Sequence, residues 1–112
     1  MPGKTRTYTP QTLDAAQVLG AQIARARRER GWTATDLAQR VGISTRTVSH
    51  LEHGSPKVAL GIAFEAATLL GINLFGTDGP GLARLARQGR ETLALLPARV
   101  RPGREDAVRD NF

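Results

Sequence analysis

His50 and His53 are the two histidines of this 112-residue chain, and they stand three positions apart in the run DLAQRVGISTRTVSHLEHG, Asp36 to Gly54. On a helix that spacing puts both imidazoles on one side, where they could hold a metal ion. The remaining ligands are missing. There is no cysteine, and Glu52 points toward another face of the same helix, so no metal is expected. There is also no glycine-rich phosphate loop and no nucleophile paired with a base, so neither a cofactor nor an enzymatic activity is expected.

The same run suits another chemistry. With Val48 and Leu51 turned inward, Thr45, Arg46, Ser49, His50 and His53 are left outside. These are short or forked hydrogen-bond donors. Thr45, Arg46 and His50, with Ser49 beside them, lie toward the end and face that a helix entering the major groove of DNA presents. Arg46 can pair with N7 and O6 of guanine, a contact worth about 1–3 kcal/mol of discrimination. Thr45 can offer a hydroxyl or a methyl to a base edge. Ser44, Thr47, His53 and Lys57 are better placed for phosphate oxygens. The competing reading is a solvated helix face on an ordinary helical bundle.

The elements that would position these side chains are all helical, and no strand pattern is visible. Thr9-Pro10 can open a first helix, with threonine as cap and proline in the first turn. Leu13, Ala16, Leu19, Ile23 and Ala26 then recur at helical spacing up to Gly31, after a last turn holding Arg27, Arg28 and Arg30. Thr33-Ala34-Thr35-Asp36 has the pattern of a capping box. Leu37, Ala38 and Val41 form the inner face of a short helix that stops at Gly42, whose backbone tolerates a sharp turn. Ser44 caps the helix carrying the donors, and Gly54 ends it. A fourth helix is expected from Ala59 to Leu70. It is apolar nearly all round, which requires burial on more than one side. It is either a central core helix or a helix whose outer side, with Ile72, Leu74 and Phe75, forms a dimer seam. A fifth helix is expected from Gly81 to Leu96, with Leu82, Leu85, Gly89, Leu93 and Leu96 on one stripe and Arg84, Arg87 and Arg90 opposite. It is either a cap with a solvated face or a contact for a partner. The expected division is a flexible tail at 1–9, a helix-turn-helix domain at 10–76, a C-terminal helix at 77–96 and a flexible tail at 97–112.

Net charge is +6, which favours a polyanionic partner. The charge is uneven: residues 1–30 hold six Lys or Arg against two acids, residues 31–76 three of each, and residues 77–112 seven against five. The motif block is therefore neutral, and charge alone does not locate a DNA surface. The N-terminus has no apolar core of the secretory kind. The most apolar stretch, Val58 to Phe75, is interrupted by Glu65, Asn73 and two glycines, so no membrane span is expected. A cytoplasmic protein fits these features.

Taken in order, the arginine-rich end of the first helix, Gly31-Trp32-Thr33, Leu37-Ala38, Val41-Gly42, Val48, Leu51-Glu52, Gly54 and Leu69-Leu70-Gly71 resemble the lambda-repressor-like, or Xre, helix-turn-helix family over about 50 residues. The resemblance implies an all-α, five-helix fold with Thr45, Arg46 and His50 at base-contacting positions. It also implies an ion pair between Arg27 and Glu52, and a homodimer on a palindrome-like double-stranded operator. Ala34 departs from the pattern, standing where many relatives carry glutamine. The DNA contact made there falls to Thr33 or Thr35. More narrowly, HLEHGSPKVALGIAFEAATLLGINLFG and the C-terminal LLPARVRPGREDAVRDNF are similar to HipB-type antitoxins paired with HipA-like kinase toxins. That likeness implies a repressor that regulates its own operon and binds a HipA-like kinase. The alternative is a stand-alone Xre-type repressor without a toxin.

Overall fold

The protein is described by a computed structural model, which covers residues 6–100. The five expected helices are present: α1 Pro10–Glu29, α2 Ala34–Val41, α3 Thr45–Glu52, α4 Leu60–Leu69 and α5 Gly79–Ala94. No strand occurs among the described residues. Two compact units divide the chain, one reaching Gly76 and the other starting at Thr77. The expected flexible tails fall largely on residues 1–5 and 101–112, outside the described range.

The first unit is organised by local hydrogen bonds at the helix ends. The Thr9 hydroxyl accepts from the N–H of Thr12 and starts α1 at Pro10. Helix α1 stops at Glu29, two residues short of the glycine that the sequence pattern marks. Arg30 closes the helix, and Gly31 takes the left-handed conformation (φ +73°) that turns the chain away. At α2 the Thr33 hydroxyl accepts from the N–H of Asp36 at 3.0 Å, and the Asp36 carboxylate accepts from the N–H of Thr33 at 2.8 Å. This reciprocal box satisfies two amide groups that the helix start leaves without partners. The same bonds hold the Asp36 carboxyl below its usual range, the Thr33 backbone N–H contributing most and the hydroxyl next. Gly42, at φ +81°, ends α2, and the N–H groups of Gly42 and Ile43 both return to the carbonyl of Ala38.

Ile23 of α1, Leu37 of α2 and Val48 of α3 are fully buried and anchor the core. Each contributes about 1.5–3 kcal/mol through the apolar surface it removes from water. Ala38, Leu51, Ala63, Ala66, Ala67 and Leu70 complete the buried set, with Leu19, Trp32, Val41, Ile43, Ile72 and Leu74 packed partly against it. Among the described residues no buried side-chain polar atom lacks a hydrogen-bond partner.

Helix α4 buries one side in the unit's own core and leaves another side open. Its alanines face the core, whereas Leu60 is 69% exposed and Leu69 is also exposed. The small residues let α4 approach its neighbours closely, while Ile62 and Phe64 are half-buried. Ala59 and Leu70 cap α4 rather than belonging to it. In the second unit, α5 begins two residues earlier than expected because the Asp78 carboxylate caps it, accepting from the N–H of Gly81 at 2.8 Å. It ends at Ala94, before Pro97 restricts the chain. Its apolar stripe is open: Leu85 is 47% and Leu93 69% exposed, with Leu82 half-buried. None of the described helices is long and apolar enough to cross a membrane.

Candidate nucleic-acid interface

The geometry of α3 follows from how its two ends are held. At its start Ser44 is the cap, its hydroxyl oxygen accepting from the N–H of Thr47 at 3.1 Å. The hydroxyls of Ser44 and Thr47 are also bonded to each other at 2.9 Å. At its end Glu52 forms a paired bond to the guanidinium of Arg27 on α1. Arg27 Nε donates at 2.6 Å and Nη2 at 2.9 Å to the two carboxylate oxygens. Both side chains are largely shielded from water, 12% and 9% exposed. A third Arg27 donor, Nη1, meets the carbonyl of Trp32 at 2.8 Å. Hydrogen bonding to Glu52 raises the pKa of Arg27 further above the ordinary guanidinium value, against the effect of burial. The pair ties the last turn of α3 to α1 and to the loop leading into α2.

Close backbone approach reinforces this tie. A Cβ at Gly20 of α1 would overlap the carbonyl oxygen of Leu51 and lie 3.0 Å from that of Glu52. Only glycine allows α1 and the end of α3 to cross at this distance. Gly54, at φ +82°, follows α3 and rests against Gln17 of α1.

With Val48 and Leu51 buried, the opposite face of α3 is open. Thr45, Arg46, Ser49, His50 and His53 are exposed, as is Ser44, while Thr47 is half-buried. Thr33, Thr35 and Lys57 are exposed as well. Arg46 and His50 are four residues apart and therefore neighbours on one helix face. The Thr33 N–H is occupied by Asp36, and its hydroxyl faces the same carboxylate, so Thr33 stands exposed within the capping box. Ala34 is half-buried and packs against the core, so the position where the sequence departs from the pattern is turned partly inward. Among the proposed seam residues, Ile72 and Leu74 lean on the unit's own core. Phe75 is 75% exposed, takes a left-handed φ of +55° and meets Phe64 edge-on at 6.1 Å.

Three roles were not legible in the sequence. The guanidinium of Arg30 donates to the carbonyls of Leu69 and Leu70 at 3.2 and 3.0 Å, capping the end of α4 from α1. Arg30 and Arg40 lie over the ring of Trp32, at 5.2 and 4.1 Å from its centroid. Gly20 marks the α1–α3 crossing. Its only sequence signal was a glycine on an apolar helix face.

The family model described as helix-turn-helix matches residues 23–76. A curated relative from Sinorhizobium fredii (strain NBRC 101917 / NGR234), described as the uncharacterized HTH-type transcriptional regulator y4dJ, is 33% identical over 61 residues. That match covers 54% of this chain and 79% of the relative. Solved structures described as a HipB-O4 20mer complex and a HipA-HipB-O2-O3 complex are each 24% identical, with a TM-score of 0.49. Each covers 68% of this chain and 99% of the solved one.

Proposed function

Because the chain belongs to the helix-turn-helix family of transcriptional regulators, we propose that it is a sequence-specific repressor that reads a double-stranded operator with the open face of α3. The observation that carries this reading is a row of exposed donors on a short helix locked at both ends, by Ser44 at the start and by the Arg27–Glu52 pair at the finish. Thr45, Arg46, Ser49 and His50 read base edges. Thr33, Thr35, Ser44, Thr47, His53 and Lys57 hold phosphates. Two recognition helices about 34 Å apart, one turn of DNA, follow if the protein is a homodimer. The exposed Phe75 beside Phe64, with Ile72 and Leu74, supplies the apolar seam for that dimer.

The repressor is the antitoxin of a pair with a HipA-like kinase and regulates its own operon. This part rests on the sequence likeness of His50 to Gly76 and Leu95 to Phe112. The neutrality of the motif block adds to it, because a charge-neutral reading unit gains from a partner or a second copy that adds contacts. Selection of bound sequences from a random duplex pool at fixed salt tests the DNA reading. A palindrome-like consensus that also lies upstream of the gene is expected, and a pool that yields no consensus refutes it. Co-purification with the kinase of a neighbouring reading frame tests the antitoxin reading. Operator binding without such a neighbour leaves a stand-alone Xre-type repressor.

A further inference from the structure

The carbonyl oxygen of Ser49, in the last turn of α3, sits against two nitrogens of His53. The backbone N–H donates to it at 3.0 Å, and ring Nδ1 lies 2.7 Å away. The Ser49 hydroxyl is also near Nδ1, but at 3.4 Å it is much farther than the carbonyl, which only accepts, so Nδ1 carries a hydrogen whatever the charge of the ring. In the neutral ring Nε2 is then a bare lone pair. A lone pair repels a phosphate oxygen. Only the imidazolium, with hydrogen on both nitrogens, can donate to one while keeping the bond to Ser49.

His53 is exposed. Glu52, the adjoining acid, is taken up by Arg27 of α1. Where α1 meets the end of α3 it presents the neutral Gln17 to Gly54 and the bare backbone of Gly20 to Leu51. In the loop that follows, Lys57 is exposed. Imidazole is the side chain that changes charge between about pH 5 and 8, and the chain holds two histidines and no cysteine.

Resting on the DNA-binding reading above, we propose that His53 is a charge-gated phosphate contact, so that operator affinity rises as the ring takes up a proton. His50 differs: a base edge can be read by a neutral imidazole, so its contact does not require the charge. One charge-assisted hydrogen bond gained corresponds to about tenfold in affinity.

The test uses the full chain and a duplex enriched from the random pool, with anisotropy titrations at about pH 8 and about pH 6 at constant ionic strength. Wild type is expected to bind about tenfold more tightly at the lower pH. The slope of log affinity against log salt is expected to steepen by about one. His53→Gln donates without changing charge and is expected to show about the same affinity at both pH values. His53→Lys is charged at both and is expected to lose the pH dependence as well, while His50→Gln keeps it. Equal wild-type affinity at the two pH values overturns the proposal, as does a full pH effect in His53→Gln. If no duplex binds at either pH, the DNA-binding reading itself fails. The ring then remains testable by nitrogen NMR of the free chain at about pH 8, where an Nε2–H tautomer at His53 overturns the gate.

Discussion

Replacing Glu52 by glutamine should cost the first unit much of its stability, although the side chain keeps its size. The wild-type carboxylate accepts two charge-assisted hydrogen bonds from Arg27, at 2.6 and 2.9 Å. Bonds of this kind are worth about 1.5–3 kcal/mol each. Glutamine keeps one oxygen acceptor and turns an N–H₂ toward a guanidinium that can only donate, so one bond is lost and a donor is set against a donor. Arg27 keeps its bond to the Trp32 carbonyl. Its charge, however, is left largely shielded without a counter-ion, with the side chain 12% exposed. Breaking a fully buried pair costs about 3–5 kcal/mol. The remaining access to water brings the expected loss to about 2–3 kcal/mol, as the surviving bond also does. For a domain of this size that lowers Tm by about 10–20 °C. The assay is a thermal melt followed by circular dichroism near neutral pH. A double variant, Arg27→Met with Glu52→Leu, should be less destabilised than the sum of its single changes, because it removes the charge together with its partner. A Glu52→Gln protein melting within about 2 °C of wild type would refute the role given to the pair.

Three further outcomes follow from the same geometry. Gly20→Ala places a Cβ against the carbonyls of Leu51 and Glu52. It should destabilise by about 1–3 kcal/mol even though alanine is the better helix former, and a urea midpoint at or above wild type would contradict the crossing. The Asp36 carboxyl is held below its usual range in the folded state. Its contribution is therefore full above the unfolded value of about 4 and is lost as pH falls through the lower folded value. Asp36→Asn should accordingly show a shallower loss of stability on acidification than wild type, and parallel acid limbs would argue against the box. Arg46→Ala should weaken specific operator binding by about 1–3 kcal/mol and relax one base position. Unchanged affinity and sequence preference, compared by competition with mismatched duplexes, would remove Arg46 from base reading.

How far the sequence reached depended on the range of each interaction. Helix boundaries set by neighbours in the chain were legible, because the partners lie three or four residues apart. The Thr33–Asp36 box, the Ser44 cap and the left-handed turn at Gly42 are of this kind. The outward face of α3 was legible too, since Val48 and Leu51 orient it by helical period alone. Where the pattern had no clear period, the sequence left two readings open. Helix α4 is apolar nearly all round, and its outward side is marked by Glu65 and Thr68, both exposed. The answer came from the alanines, whose small volume lets them meet the rest of the core.

The sequence by itself therefore determined the five helices, the caps at Thr9, Thr33 and Ser44, and the set of donors that α3 can turn outward. Only the tertiary structure decided the close approaches between helices. Arg30 reaches carbonyls 39 and 40 residues away, and Gly20 is a glycine because of a carbonyl on another helix. The pair of Arg27 and Glu52, 25 residues apart, was implied by the family resemblance, and the structure supplies its two bonds and their geometry. Spacing along the chain does not encode these contacts, because they depend on how close the packed helices come. The ring of His53 also belongs to this second group. Its place on α3 was legible, but which nitrogen faces outward is set by the atom its other nitrogen touches.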